Sequence, residues 1–267
     1  MSELPFNLSL ARTLAEFSRR AYCMVGGDYL WGSSTDTVVL VEDIGDAIVL
    51  AFRGTKNIRS WLTDLQVLRT QLARQCDPEK NHGCKVALSR IEIHSGFLAA
   101  ADSILPKIIS TLLPAGADKS KVKPLILTGH SLGGALAPIC AYFLAREGFT
   151  VQAIYTFASP RSGNAAWRDE YNSLLGGKTF RIACVGDLVP LLPGIFTPPL
   201  DGYRHVGAEV LADGHRLMME PNHYTELALD GARAFLALRR GDLDFILDFH
   251  SIEADYQASL NSVTTIA

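Results

Sequence analysis

The stretch Leu127–Ala137, LTGHSLGGALA, decides how the rest of this chain is read. Aliphatic residues run into Gly129, Ser131 stands at the centre of G-H-S-L-G, and small residues follow. KPLILTG, residues 123–129, is a short apolar run of the kind that forms a strand buried on both faces. GGALAPICAYFLARE, residues 133–147, is a helix of small and apolar residues that Gly148 ends. A strand that stops abruptly and turns straight into a helix leaves its turn residue with a strained backbone and a projecting side chain. Glycines two positions before and after keep Cβ atoms from colliding with strand and helix. This is the nucleophile elbow, G-x-S-x-G. Ser131 then sits at a helix N-terminus, where backbone N–H groups and the helix dipole stabilise negative charge. The N–H of Leu132, just after the serine, is one donor to an acyl-transfer oxyanion.

Working outward, TDTVVLVEDIGDAIVLAFRG (35–54) reads as a hairpin, two β-branched runs joined by EDIGD. GFLAAADSILPKIISTLL (96–113) carries Phe97, Ala101, Ile104, Ile108 and Leu112 at helical spacing. VQAIYTFASP is a strand, NAAWRDEYNSLL a helix and TFRIACVGD a strand. Such alternation implies parallel strands crossed by helices, an α/β fold. RHVGAEVLADGHRLMM (204–219) reads as a second hairpin, and ELALDGARAFLALRRG (226–241) and IEADYQASLNS (252–262) as closing helices. No repeat, low-complexity tract or linker interrupts the chain, so one domain over residues 1–267 is expected.

Composition narrows the classes. A net charge of −3 and no basic cluster argue against a nucleic-acid surface. The longest apolar runs are about half of what a bilayer requires, so no transmembrane segment is expected. The N-terminal segment lacks the charged region and continuous apolar stretch of a leader. It reads as an amphipathic helix with Leu10, Leu14, Phe17, Ala21 and Tyr22 on one face. The expected location is cytoplasmic, or secreted if a leader has been removed. None of the five cysteines shows a metal-ligand spacing, and all five are expected to be reduced thiols; Cys76 and Cys84 flank a polar turn and would close a small loop only in an oxidising compartment.

A serine nucleophile needs a base, and the base an orienting acid. Asp187 directly follows the apolar strand of TFRIACVGD, at the edge of an open α/β sheet where ligands bind. His205, His215, His223 and His250 all lie downstream, and spacing alone does not choose among them.

Seven blocks, AFRGT, IHSGF, GHSLGGALA, TFASPRSGN, VGDLVPLLP, YRHVGAE and FHSIEADY, resemble those of the class 3 lipase family, in that family's order, from Ala51 to Tyr256. The family is typified by fungal triacylglycerol lipases. The resemblance implies an α/β-hydrolase fold, a mostly parallel central sheet flanked by helices with a short lid helix. It implies Ser131 as nucleophile, Asp187 as acid and His250 as base, with Thr55, ending FRGT, joining Leu132 in the oxyanion hole. His94 and His205 fall in family blocks as structural contacts. Where the family often has glycine before SPR, this chain has Ala158, which would narrow the cleft slightly.

In KNIRSWLTDL, residues 56–65, Ile58, Trp61, Leu62 and Leu65 form a one-sided apolar stripe at i, i+3, i+4 and i+7. The resemblance makes this segment the lid, which covers an acyl cleft in water and meets lipid when open. It also places a carboxylate at Asp64, positioned to hold the Thr55 hydroxyl. The implied activity is hydrolysis of carboxylic esters, foremost acylglycerols, at a lipid–water interface, with no metal or cofactor. Phospholipase, feruloyl esterase and short-chain carboxylesterase activities would use the same mechanism. A hydrolase-fold protein that only binds a ligand would be expected to have a damaged triad.

Overall fold

The computed structural model describes residues 5–24, 26–32, 34–55, 91–115, 117–193, 202–219 and 250–266. Among these, nine strands form one sheet in chain order. They are β1 (Asp28–Trp31), β2 (Val38–Asp43), β3 (Ile48–Phe52), β4 (Leu125–His130), β5 (Val151–Phe157), β6 (Thr179–Cys184), β7 (Ala208–Ala212), β8 (Arg216–Met219) and β9 (Thr265–Ile266). The consecutive pairs from β3 to β7 are parallel. The two hairpins expected from sequence, β2–β3 and β7–β8, are antiparallel. In the first of them Gly45 takes φ +100° in the turn. The short strands β1 and β9, which no alternation marks, extend the sheet at either side.

Helices cover both faces. Alternation along the strands sorts the core into two layers. Leu50, Phe52, Leu125 and Leu127 face α2 (Ser95–Leu112), α3 (Leu132–Arg146) and α4 (Ala165–Leu175). Val49, Ala51 and Ile126 face α1 (Leu8–Cys23) and the C-terminal segment. β4 is buried at every position, which is why its sequence runs apolar rather than alternating. Helix α1 buries Leu14 and Phe17 against this second layer; each such side chain contributes about 1.5–3 kcal/mol. Its start is capped by Asn7, whose side chain accepts the Leu10 N–H at 3.0 Å, while the Asn7 N–H donates to the Tyr155 hydroxyl.

The segment read as the last helix begins differently from expectation. Ile252–Gln257 is π-helical and only Ala258–Ser262, α5, is α-helical. The Ser251 hydroxyl caps it by accepting the Ala254 N–H. Arg12 donates twice to the Leu260 carbonyl, and Gln257 donates to Glu16, so α1 clamps this segment to the body. The helix expected over 226–241 lies outside the described residues.

Candidate active site

The elbow is formed as the glycine spacing requires. Ser131 adopts φ 58° and ψ −127°, a conformation L residues rarely take, between the last residue of β4 and the first of α3. Its N–H donates to the Phe157 carbonyl at 2.9 Å and its carbonyl accepts the Gly134 N–H at 2.8 Å, which hold the turn from both sides. A Cβ on Gly129 would overlap the backbone of Gly133, and one on Gly133 would overlap the carbonyl of Phe52. Strand, helix and the neighbouring strand end therefore meet at van der Waals contact. The projecting side chain expected of an elbow does not reach bulk water: Ser131 is 1% exposed.

Residues that sequence places far apart converge here. Asp187 follows β6 and His250 precedes the π-helical turn; both are buried. His250 Nδ1 lies 2.9 Å from Asp187 Oδ2 and 3.1 Å from Oδ1. That carboxylate also accepts the Val189 N–H, on Oδ1 at 2.9 Å, and the Tyr256 hydroxyl, on Oδ2 at 2.6 Å. The Tyr256 oxygen in turn accepts the Cys184 N–H at 3.2 Å. Burial and the adjacent Asp187 charge hold the Tyr256 hydroxyl protonated, so it acts as a donor. Of the downstream histidines left open by spacing, His250 is the one placed against Asp187 among the described residues. His205 Nε2–H donates to the Pro190 carbonyl at 2.7 Å, a tie within the loop. His215 lies in the turn between β7 and β8, and His223 is outside the described residues.

With Nδ1 engaged, His250 presents Nε2. That nitrogen and Ser131 Oγ are both buried and make no hydrogen bond among the described residues. His130 Nε2, on the adjoining ring, is likewise buried without a partner among the described residues. An unsatisfied buried polar atom costs about 1–3 kcal/mol, so the fold leaves this cluster open to a polar partner. The His250 ring packs on His130, the residue before Ser131, with centroids 4.6 Å apart.

The two residues expected to form an oxyanion hole are placed by the backbone. Leu132 opens α3, so its N–H belongs to the first turn, which has no intrahelical acceptor. β3 runs beside β4, with Phe52 opposite Gly129. Gly54 then packs on the His130 carbonyl and the Tyr22 hydroxyl with no room for a Cβ. Half-buried Thr55 directly follows Gly54. Ile58, Trp61, Leu62, Asp64 and Leu65, together with Cys76 and Cys84, lie outside the described residues. Ala158 is fully buried at φ 52°, within the layer beneath α1. Its methyl group fills core there, in a backbone region that favours glycine.

Two participants escape a reading of sequence. Tyr256 reaches Asp187 from within the π-helical turn, and an α-helical spacing from His250 does not identify it. Tyr22, noted only as part of an apolar face, sends its hydroxyl to His130 Nδ1 at 2.9 Å. Burial holds the Tyr22 hydroxyl protonated. His94 stacks on Phe97 with centroids 4.3 Å apart, and burial lowers its pKa to about 4. Among the described residues no group of His, Cys, Asp and Glu is placed to hold a metal ion, and no helix is long and apolar enough to cross a membrane.

A family model for lipase (class 3) matches residues 49–197. A secreted mono- and diacylglycerol lipase of Fusarium solani is 32% identical over 176 residues, 66% of this chain and 47% of that protein. A phospholipase A1 of Oryza sativa subsp. indica is 29% identical over 195 residues, 62% of this chain and 42% of that protein. This chain thus spans about half the length of the curated relatives it matches. In fold it resembles the mono- and diacylglycerol lipase of Aspergillus oryzae, with a TM-score of 0.59, 23% identity, and coverage of 79% of this chain and 81% of that one.

Proposed function

Because the chain belongs to the class 3 lipase family, we propose that it is a serine hydrolase of carboxylic esters and that acylglycerols are its substrates. The observation that carries this reading is the pair of buried, unbonded atoms, Ser131 Oγ and His250 Nε2, set beside an Asp187–His250 hydrogen bond.

In this mechanism Ser131 Oγ attacks the ester carbonyl while His250 Nε2 takes its proton. Asp187 fixes the tautomer that carries hydrogen on Nδ1 and stabilises the imidazolium. The oxyanion accepts the N–H groups of Leu132 and Thr55. The alcohol leaves with the proton from His250, and water repeats the sequence on the acyl-enzyme. By the family resemblance the segment with Ile58, Trp61 and Leu62 serves as a lid that opens at a lipid–water interface, and Asp64 is assigned to the Thr55 hydroxyl.

A panel of short- and long-chain esters, with matched Ser131→Ala protein as control, tests this. Hydrolysis that rises above the solubility limit of diacylglycerol is the expected result. Rates that fall with chain length and show no rise at the interface would remove the lid from the mechanism. Cleavage of phosphatidylcholine in preference to diacylglycerol would move the substrate toward that of the phospholipase relative. Absence of a fluorophosphonate adduct on Ser131 in folded protein would leave a binding protein rather than an enzyme.

A further inference from the structure

Asp187 grips His250 at one atom. Both carboxylate oxygens lie within 3.1 Å of Nδ1, but neither restrains rotation of the ring about that bond. Aiming Nε2 requires a second constraint, on the face of the ring. The structure supplies one. His130, 4% exposed, lies against His250 with ring centroids 4.6 Å apart and an interplanar angle of 36°. His130 is itself held from two sides. Tyr256 meets it edge-on at 5.6 Å, and the Tyr22 hydroxyl bonds its Nδ1 at 2.9 Å.

We propose that the His130 ring is a positioning residue for the base: its face sets the plane of His250 relative to Ser131, to which His130 is covalently joined. This rests on the triad reading above. The peptide link gives the arrangement its accuracy, since the surface that orients the base is carried by the residue adjoining the nucleophile. The chemistry agrees. Burial and the neighbouring His250 keep His130 uncharged, and among the described residues no carboxylate is bonded to it. When His250 accepts the serine proton, the cation forms against a neutral π-face, which attracts it, and not against a second cation.

The ring and its hydrogen bond are separable by substitution. His130→Phe and His130→Tyr keep a ring and lose the native nitrogen. His130→Gln keeps a partner for Tyr22 and loses the ring. Two readouts are taken on a soluble short-chain ester: kcat against KM, and the pseudo-first-order rate constant for fluorophosphonate labelling of Ser131. The labelling constant reads only folded molecules, so partial misfolding does not imitate the effect. The expected result is that His130→Gln loses about 10²-fold in kcat and in labelling with KM within about twofold, as a misaimed base would. At least one ring-bearing variant recovers to within about threefold of the unaltered protein. His130→Gln at full kcat, or both ring variants falling as far as His130→Gln, would overturn the proposal. Failure of the unaltered protein to label at Ser131 would instead overturn the triad reading, before any variant is compared.

Discussion

The Tyr256 hydroxyl sits 2.6 Å from Asp187 Oδ2, the same oxygen that His250 Nδ1 reaches at 2.9 Å. A charge-assisted bond of this kind contributes about 1.5–3 kcal/mol. Tyr256→Phe removes it and also strands the Cys184 N–H, which the phenol oxygen accepts. The expected outcome is a fall of about tenfold or more in kcat/KM together with a lower melting temperature. Steady-state kinetics and thermal denaturation on the same preparation check both. Unchanged kinetics with lowered stability would make Tyr256 a core residue without influence on the acid.

The assignment of the base is tested by a paired substitution. His250→Ala should lower kcat by several powers of ten with the fold intact, and His223→Ala should do much less. Circular dichroism establishes folding in each case. The reverse ranking would transfer the role to His223.

Gly133 is a third case, in which the backbone and not a functional group is at stake. A methyl group there meets the Phe52 carbonyl and forces α3 away from β3. Gly133→Ala is expected to destabilise the protein by about 2–4 kcal/mol, measured by urea titration. Gly45→Ala has no neighbour to strike, but its φ of +100° still strains an L side chain, so it should cost less than Gly133→Ala.

Stability should also depend on pH through His94. Burial lowers its pKa from 6.5 to about 4 in the folded chain, so the folded state favours the neutral ring. Below pH 6.5 the unfolded chain binds a proton that the folded chain refuses. This contribution is therefore complete above the unfolded value and is lost as pH falls toward about 4, amounting to about 3 kcal/mol. His130 and His205 are shifted in the same direction by burial and steepen the trend. Urea titrations at pH 7.5 and 4.5 should show a smaller loss for His94→Phe, which keeps a ring against Phe97 and removes the titration. An equal loss in both proteins would exclude His94 as a source.

Much of the architecture follows from local pattern. LTGHSLGGALA carries its own strand, turn and helix, because the elbow is a matter of backbone sterics between residues two apart. EDIGD and ADGH likewise close hairpins whose flanking runs pair as expected. The candidate acid was legible from its place after an apolar strand. The candidate base was not: four histidines follow Ser131, and nothing in their spacing distinguishes them. Resemblance to other chains points to His250, and its contact with Asp187 supports that reading, since residues so far apart in sequence meet only in the folded chain. Tyr22, His130 and Tyr256 are decided at that level alone. Their contacts cross between helix, strand and π-helical turn, and such contacts depend on packing distances and ring orientations that no one-dimensional period encodes.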